Sequence, residues 1–255
     1  MTINTKTLAA IDIGTNAIRL FISNVEEYPT ETLFKKIAFL RVPIRLGEDV
    51  FTTGEIGQQK RKRLCETMQG FSYIMSAFNV ESYKAYATCA MREARNGKSV
   101  AEQIQKECDL NIEIISGTKE AETIFAGGMN EVVDDDKTYL YVDVGGGSTE
   151  VIVYSKSVKV EACSFPLGTV RMLNDAVDKE EMKHFKKWLK NITEKYTPDA
   201  IIGSGGNINK IHKLLNKKER ERITYQELDI LYEYMKSFNL EERERIMKLN
   251  TYRAD

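Results

Sequence analysis

One local pattern occurs twice in this chain, and it constrains the fold more than any other feature. An apolar run ends in Asp12, turns through glycine and hydroxyl residues and enters a second β-branched run, and the same order recurs around Asp143. The two copies are separated by about half of the 255-residue chain. Such a repeat predicts two similar half-proteins, each opening with a glycine-turned hairpin. We therefore expect an α/β protein of two domains, residues 1–128 and 129–255, that face each other across a cleft.

Charge and composition exclude several other classes of protein. The chain carries 37 Lys+Arg against 38 Asp+Glu, so bulk charge would hold it on neither nucleic acid nor a membrane. It has two histidines and four cysteines without a CxxC pair, which argues against zinc sites and Ser-His-Asp chemistry. No apolar run approaches the roughly 18 residues of a membrane span. These features predict a soluble cytoplasmic protein with reduced thiols.

Hydrophobic periodicity predicts an alternation of strands and helices. Strands are predicted at residues 7–12, 17–25, within 32–46, at 83–88, 112–116, 138–144, 149–154, 158–164 and 200–203. Helices are predicted at residues 56–78, around 100–108, and at 179–196, 225–238 and 241–249, the last of them solvated. A polar stretch at residues 130–137 is expected to contain the boundary between the halves.

The second glycine turn, at residues 145–148, has a direct chemical use. Without Cβ atoms, its backbone N–H groups can approach a phosphate closely. Asp143 before the turn and Glu150 after it offer carboxylate oxygens for Mg²⁺. An ordinary hairpin would also use glycines where φ is positive. A further pair, Gly205 and Gly206, follows another predicted strand and favours the phosphate-binding interpretation.

Two further segments carry candidate catalytic groups. Arg92 lies where a predicted strand turns into a helix, so its guanidinium could hold a phosphate or pair with a carboxylate such as Glu93. Glu120 and Glu122 begin the helix after the next strand, where a carboxylate could deprotonate a water for attack on phosphorus. The helix dipole alone also favours acids in a first turn. Spacing does not choose between Glu120 and Glu122.

Six ordered blocks resemble the exopolyphosphatase / guanosine pentaphosphate phosphohydrolase family. The blocks are residues 12–16 (DIGTN), 87–94 (ATCAMREA), 115–121 (ISGTKEA), 143–150 (DVGGGSTE), 166–168 (PLG) with Arg171, and 203–207 (GSGGN). Residues 252–255 (YRAD) resemble the family's closing motif. The resemblance implies an actin-like, sugar-kinase-like fold of two ribonuclease-H-like α/β domains with the active site in their cleft. It also implies Mg²⁺-dependent hydrolysis of a terminal phosphoanhydride.

The resemblance also implies roles for individual residues. Glu120 takes the place of the catalytic base, which decides the choice that spacing left open, and Arg92 takes the place of a phosphate-binding arginine. Asp143, Glu150 and Asp12 match metal-associated acids. The matching phosphate-binding positions are Gly14, Thr15, Asn16, Gly145, Gly146, Gly147, Ser148, Gly205 and Gly206.

The function implied is release of orthophosphate from the ends of inorganic polyphosphate by a Glu120-activated water. Hydrolysis of guanosine pentaphosphate is the alternative within the same class. A protein that binds polyphosphate or guanosine polyphosphates without turnover is a second alternative, and an ATP-dependent kinase of the same superfold is a third. Kinases of that superfold do not share the block that contains Glu120. A homodimer is compatible with the resemblance, and residues 129–255 are expected to lack the family's closing helix.

Overall fold

The computed structural model describes residues 4–126, 136–156, 158–218, 221–247 and 249. Two sheets organise this part of the chain, one in each half of the sequence. The predicted boundary between residues 128 and 129 and the closing motif at 252–255 lie outside the described residues. Across the described residues, no helix combines the length and apolar composition needed to cross a bilayer.

The first sheet has the strand order β3-β2-β1-β4-β5. Its half of the chain contains, in order, β1 (Asn4–Ile13), β2 (Ile18–Glu27), β3 (Thr32–Val42), α1 (Leu46–Thr53), α2 (Gln58–Ala77), β4 (Ser82–Ala87), α3 (Cys89–Glu93), α4 (Gly97–Cys108), β5 (Glu113–Ile114) and α5 (Gly117–Ala126). Strands β1 to β3 are antiparallel, whereas β4 is parallel to β1 and to β5.

The second sheet repeats this plan with the order β8-β7-β6-β9. The elements are β6 (Thr138–Val144), β7 (Thr149–Ser155), β8 (Val158–Phe165), α6 (Thr169–Leu173), α7 (Lys179–Tyr196), β9 (Ala200–Ser204), α8 (Gly205–Leu214), α9 (Tyr225–Lys236) and α10 (Leu240–Met247). Again three antiparallel strands are followed by one that is parallel to the first. The two halves are therefore similar, as the repeat predicts, and their strand order agrees with the ribonuclease-H-like topology that the family resemblance implies.

Buried and partly exposed side chains alternate along β1 and β2, so one face of the first sheet packs in the core and the other faces the cleft. Ile11, Ile13 and Leu20 are almost fully buried on one face, where they pack against the apolar stripe of α2 and α4. The opposite face carries Asp12 and Arg19, which are paired across the two strands. The polar positions of the hairpin are thus held at the cleft by the apolar positions behind them.

Helix α5 precedes the predicted boundary but packs on the second sheet. Ala121 belongs to a cluster with Tyr139, Tyr141 and other side chains on one face of that sheet. Helix α7 covers the opposite face, where Ile192 packs beside residues of β6 and β7. Burial from both sides explains why β7 is buried over nearly its whole length. The helix that carries Glu120 is therefore fixed to the second sheet.

One local prediction is confirmed with narrower bounds, and two others need correction. The strand within residues 32–46 ends at Val42, and a helix begins at Leu46 after Arg45, which adopts a left-handed conformation with φ of 56°. Pro43, which cannot donate to a sheet, explains the early end of β3. The strand predicted at 112–116 is limited to Glu113–Ile114. Helix α10 is not simply solvated, because Met247 is buried against other side chains of the C-terminal helices.

Candidate active site

The first glycine turn connects β1 to β2, and hydrogen bonds to its backbone carbonyl groups fix its conformation. Gly14 donates its N–H to the Ala17 carbonyl at 3.2 Å, which closes the turn. The carbonyls of Thr15 and Asn16 accept hydrogen bonds from the backbone at the start of α1, at 3.0 and 2.9 Å respectively. The backbone at the start of helix α1, which the sequence did not predict, therefore holds this turn in place.

The second glycine turn connects β6 to β7 and is held in the same way. Gly145 donates to the Ser148 carbonyl at 2.9 Å. The carbonyls of Gly145 and Gly146 accept from the first amides of α6 at 2.8 to 3.1 Å. Among the described residues, the amides of Gly146, Gly147 and Ser148 have no hydrogen-bond acceptor. Consecutive amides without acceptors form the kind of concavity that binds a phosphate oxygen.

The two turns are in contact across the cleft, so glycine is required for close approach. A Cβ atom on Gly147 would lie 2.5 Å from Cys89 Sγ and 2.9 Å from Thr15 Oγ1. A Cβ atom on Gly168 would lie 2.4 Å from the Gly146 backbone. Larger residues at these positions would push the halves or the turn apart.

One cavity of about 570 Å³ lies between the two halves and is bounded by all three glycine turns. We call it the acidic cavity, because four carboxylates line it: Asp12, Glu120, Asp143 and Glu150. The phosphate-binding candidates that line it are Gly14, Thr15, Asn16, Gly145, Gly146, Gly147, Ser148, Gly205 and Gly206. The structure thus brings together thirteen of the fourteen residues to which the resemblance assigned roles, all except Arg92.

Glu120 projects into the acidic cavity from the first turn of α5. Its side chain is 18% exposed, and Oε2 lies 3.5 Å from Arg92 Nη1. Burial raises the pKa of Glu120 to about 8, the Glu150 charge adds to that rise, and Arg92 opposes it. Arg92 Nη1 also donates to the Ile115 carbonyl at 2.8 Å, and Arg92 is not among the residues that line the acidic cavity.

Glu122 occupies a different environment, although it is only two residues further along α5. It is exposed and accepts a hydrogen bond from Lys159 Nζ at 3.0 Å. That hydrogen bond lowers the pKa of Glu122. Of the two carboxylates that the sequence left open, the one that lines the cavity is Glu120.

Asp12 and Asp143 lie on the middle strands of the two sheets. Burial raises the pKa of both carboxyl groups, whereas the Arg19 charge lowers it in both cases. Arg19 Nη1 donates to Asp12 Oδ2 at 2.5 Å. Among the described residues, no hydrogen-bond donor contacts the Asp143 side chain, which leaves its oxygens available to a ligand.

Glu150 is the most deeply buried of the four acids, at 2% exposure. Its Oε1 accepts hydrogen bonds from Ser148 Oγ at 2.6 Å and from Ser164 Oγ at 2.9 Å. Burial raises the pKa of Glu150, and these two hydroxyl groups oppose that rise. The hydroxyls therefore fix the position of the carboxylate beside the glycine turn.

The chemistry of these acids fits a magnesium ion. Oxygen donors, a low local dielectric and mutual repulsion all favour a bound cation among Asp12, Asp143 and Glu150. No three acidic, histidine or cysteine side chains of the described residues come close enough to form a complete ligand cage. Mg²⁺ does not need a complete protein cage, because it keeps several waters and takes phosphate oxygens as ligands.

Arg171 is a site residue to which the sequence assigned no role. Its Nη2 donates to both Glu93 oxygens at 2.7 Å, and its Nε donates to the Gly147 carbonyl at 2.9 Å. Its guanidinium also lies 4.1 Å from the centre of the Phe51 ring. Arg171 therefore connects α3 of the first half to the glycine turn of the second. The sequence showed the motif that contains Arg171, but it did not show that Arg171 pairs with Glu93.

Two matched α/β halves with glycine turns and acids that face one cleft define a two-domain α/β protein with a site between its halves. Residues 22–255 match the sequence profile of the Ppx/GppA phosphatase family, and the chain belongs to that family.

Three known proteins illustrate the similarity. The bifunctional 3-dehydroquinate synthase/phosphatase of Fusobacterium nucleatum is 32% identical over 168 residues, covering 64% of this chain and 25% of that protein. Exopolyphosphatase 2 of Mycobacterium tuberculosis is 28% identical over 170 residues, covering 65% and 53% respectively. The chain thus spans a quarter of the first relative and about half of the second. The crystal structure of an exopolyphosphatase from Cytophaga hutchinsonii superposes with a TM-score of 0.83 at 24% identity, covering 98% of this chain and 86% of that one.

Proposed function

We propose that this protein is a phosphohydrolase that releases the terminal phosphate of inorganic polyphosphate. The observation that carries the proposal is the position of Glu120, a half-buried side chain that faces the same cavity as the amides of residues 146–148. A proton acceptor beside a phosphate-binding turn is what attack of water on phosphorus requires. Exopolyphosphatases among the relatives support polyphosphate as the substrate.

The groups of this chain would act together on the terminal phosphoryl group. The amides of Gly146, Gly147 and Ser148 would donate to its non-bridging oxygens and stabilise their charge. Glu120 would orient a water and accept its proton while the water oxygen bonds to phosphorus. The anhydride P–O bond breaks, and its electron pair stays on the shortened chain. Arg92, which contacts Glu120, would position that carboxylate.

A magnesium ion would be held by Asp143, Glu150 and Asp12 together with oxygens of the substrate. When bound, this ion would neutralise negative charge on the phosphate oxygens. Asp143 is best suited to contact it directly, because Asp12 is paired with Arg19 and Glu150 accepts two hydroxyl hydrogen bonds.

The experiment measures orthophosphate release from long-chain polyphosphate, guanosine pentaphosphate and ATP, with Mg²⁺ or with EDTA. We expect release from polyphosphate that EDTA abolishes and that Glu120→Gln lowers by about 10²- to 10⁴-fold, the usual contribution of a general base. Glu122→Gln is the matched control, because Glu122 lies on the same helix but is exposed and paired with Lys159; its turnover should stay within about twofold of wild type.

Three outcomes would contradict the proposal. Release from guanosine pentaphosphate alone would keep the chemistry but change the substrate. Equal activity in Glu120→Gln and Glu122→Gln would remove Glu120 as the base. Binding of polyphosphate without release from any of the three substrates would identify a binding protein.

A further inference from the structure

Hydrogen bonds to three consecutive carbonyls hold the second glycine turn, and the last of these bonds comes from a side chain. The carbonyls of Gly145 and Gly146 accept from backbone amides at the start of α6. No backbone amide of the described residues donates to the Gly147 carbonyl. Its donor is Arg171 Nε, at 2.9 Å. The orientation of this carbonyl therefore depends on one side chain.

The Gly147 carbonyl and the Ser148 amide belong to one peptide unit. In a planar trans peptide the C=O and N–H groups point in opposite directions, so the carbonyl that faces Arg171 turns the Ser148 N–H to the other side. Ser148 lines the acidic cavity, whereas Arg171 does not. Glycine at position 147 restricts rotation of this peptide very little, so a fixed direction requires a contact from outside the turn. Arg171 supplies that contact.

Arg171 is itself held by the first half of the chain. Its Nη2 donates to both oxygens of Glu93, and its guanidinium lies against the Phe51 ring. The donors of an arginine form a rigid planar fork, so a carboxylate that fixes Nη2 also fixes the direction of Nε. Glu93 and Phe51 therefore direct Nε toward the turn.

We propose that Arg171 is a positioning residue for the phosphate-binding turn, because it keeps the Ser148 amide directed into the acidic cavity. That the ligand there is a terminal phosphoryl group rests on the proposed function. Arg171 would not touch the substrate. A donor that is already oriented when charge develops on the phosphate oxygens needs no reorganisation at that moment. Without Arg171, the peptide can rotate, and the phosphate loses this donor for part of the time.

The first experiment follows backbone amide signals in ¹H–¹⁵N spectra while orthophosphate is added in the presence of Mg²⁺. In wild type, the amide signals of residues 146–148 should shift as the turn binds phosphate. In Arg171→Met, the shift of the Ser148 signal should be largely lost, whereas that of Gly146 should remain. Arg171→Lys should recover part of the Ser148 shift, because an ammonium can still donate to the Gly147 carbonyl but lacks the fork that also holds Glu93.

Turnover separates positioning from stability. Arg171→Met should lower kcat for polyphosphate at least about tenfold, but less than the about 10²- to 10³-fold that deletion of such a donor costs, because the amide itself remains. Glu93→Gln is the matched control. It weakens the same ion pair but leaves the Nε bond to Gly147, so kcat should stay close to that of wild type. All variants are compared at a temperature at which circular dichroism shows each of them to be folded.

The two experiments distinguish failure of this inference from failure of the proposed function. An unchanged Ser148 shift in Arg171→Met, or an equal fall of kcat in Arg171→Met and Glu93→Gln, would overturn the role of Arg171 while hydrolysis by wild type stands. If wild type hydrolyses nothing but Arg171→Met still loses the Ser148 shift, the proposed hydrolysis fails and Arg171 remains the positioning residue of a phosphate-binding turn. No shift at residues 146–148 in wild type would overturn the inference, whatever the activity.

Discussion

Replacing Arg171 by methionine should destabilise the protein by about 3 kcal/mol. The guanidinium is 11% exposed and makes three kinds of contact that methionine cannot replace. The double hydrogen bond to Glu93, which is 38% exposed, contributes about 1–2 kcal/mol, and the bond to the Gly147 carbonyl about 1 kcal/mol. The contact with the Phe51 ring adds about 0.5–1 kcal/mol. Methionine keeps much of the apolar volume, so the loss is mainly polar.

Urea unfolding measures this loss through Trp188, the only tryptophan of the chain. Trp188 packs against Phe165 with ring centroids 5.4 Å apart, so its fluorescence reports unfolding of the second half. Circular dichroism followed in parallel reports both halves and tests whether the transition is two-state. The thermal midpoint should fall by about 6–12 °C, as 3 kcal/mol implies for a chain of this size.

An exposed ion pair provides the control for Arg171. Lys190 and Glu194 are 3.8 Å apart and mostly exposed, so Lys190→Met should change the unfolding free energy by less than about 0.5 kcal/mol. A double-mutant cycle of Arg171→Met with Glu93→Gln should give a coupling energy of about 1–2 kcal/mol. The reasoning is refuted if Arg171→Met costs no more than Lys190→Met, or if Arg171 and Glu93 show no coupling.

Three further predictions follow from burial and packing. In metal-free protein, burial raises the pKa of Glu120 from 4.5 to about 8. The unfolding free energy of wild type should therefore fall relative to that of Glu120→Gln as pH rises from about 4.5 to 8. Urea melts measure this difference, and parallel curves of unfolding free energy against pH would contradict the prediction. Burial raises the pKa of Cys89 to about 12, so a thiol reagent at neutral pH should leave it unmodified by mass spectrometry until the protein unfolds. Gly147→Ala should lower the thermal midpoint, because its Cβ would lie closer than 3.0 Å to three side chains. Gly70→Ala is the control: its Cβ would meet nothing within 4 Å, so it should raise the unfolding free energy by up to about 1 kcal/mol. Equal thermal midpoints for the two variants would refute the close approach of the turns.

Local periodicity was sufficient to predict much of the fold. The helix predicted at residues 179–196 is Lys179–Tyr196, because its apolar positions recur at helical spacing over five turns. The two hairpins were also predicted, since each has a glycine turn between β-branched runs. Signals of this kind depend only on neighbouring residues, which is why one sequence reveals them.

Features that depend on distant residues were not predictable. Arg171 and Glu93 are 78 residues apart, and nothing local indicates that they pair. Arg19 and Arg41 are opposite each other on β2 and β3, and this pairing depends on the register of the two strands, which shifts between Ile22 and Ser23. Local spacing could not reveal either arrangement.

Local spacing could not choose between Glu120 and Glu122 for the same reason: the difference between them depends on distant residues. Both acids lie at the start of α5, and only the packing of that helix on the second sheet turns one of them toward the cavity. The family resemblance selected Glu120 without that packing.

The most direct test of the account is a single-turnover hydrolysis of polyphosphate in ¹⁸O-labelled water, with Mg²⁺ present. Attack of water on the terminal phosphorus predicts one labelled oxygen in each released orthophosphate and none in the shortened chain. The rate of labelling should fall by about 10²- to 10⁴-fold in Glu120→Gln. Label in the remaining chain, or unchanged labelling in the Glu120→Gln variant, would contradict the central claim that Glu120 activates water for attack on the terminal phosphate.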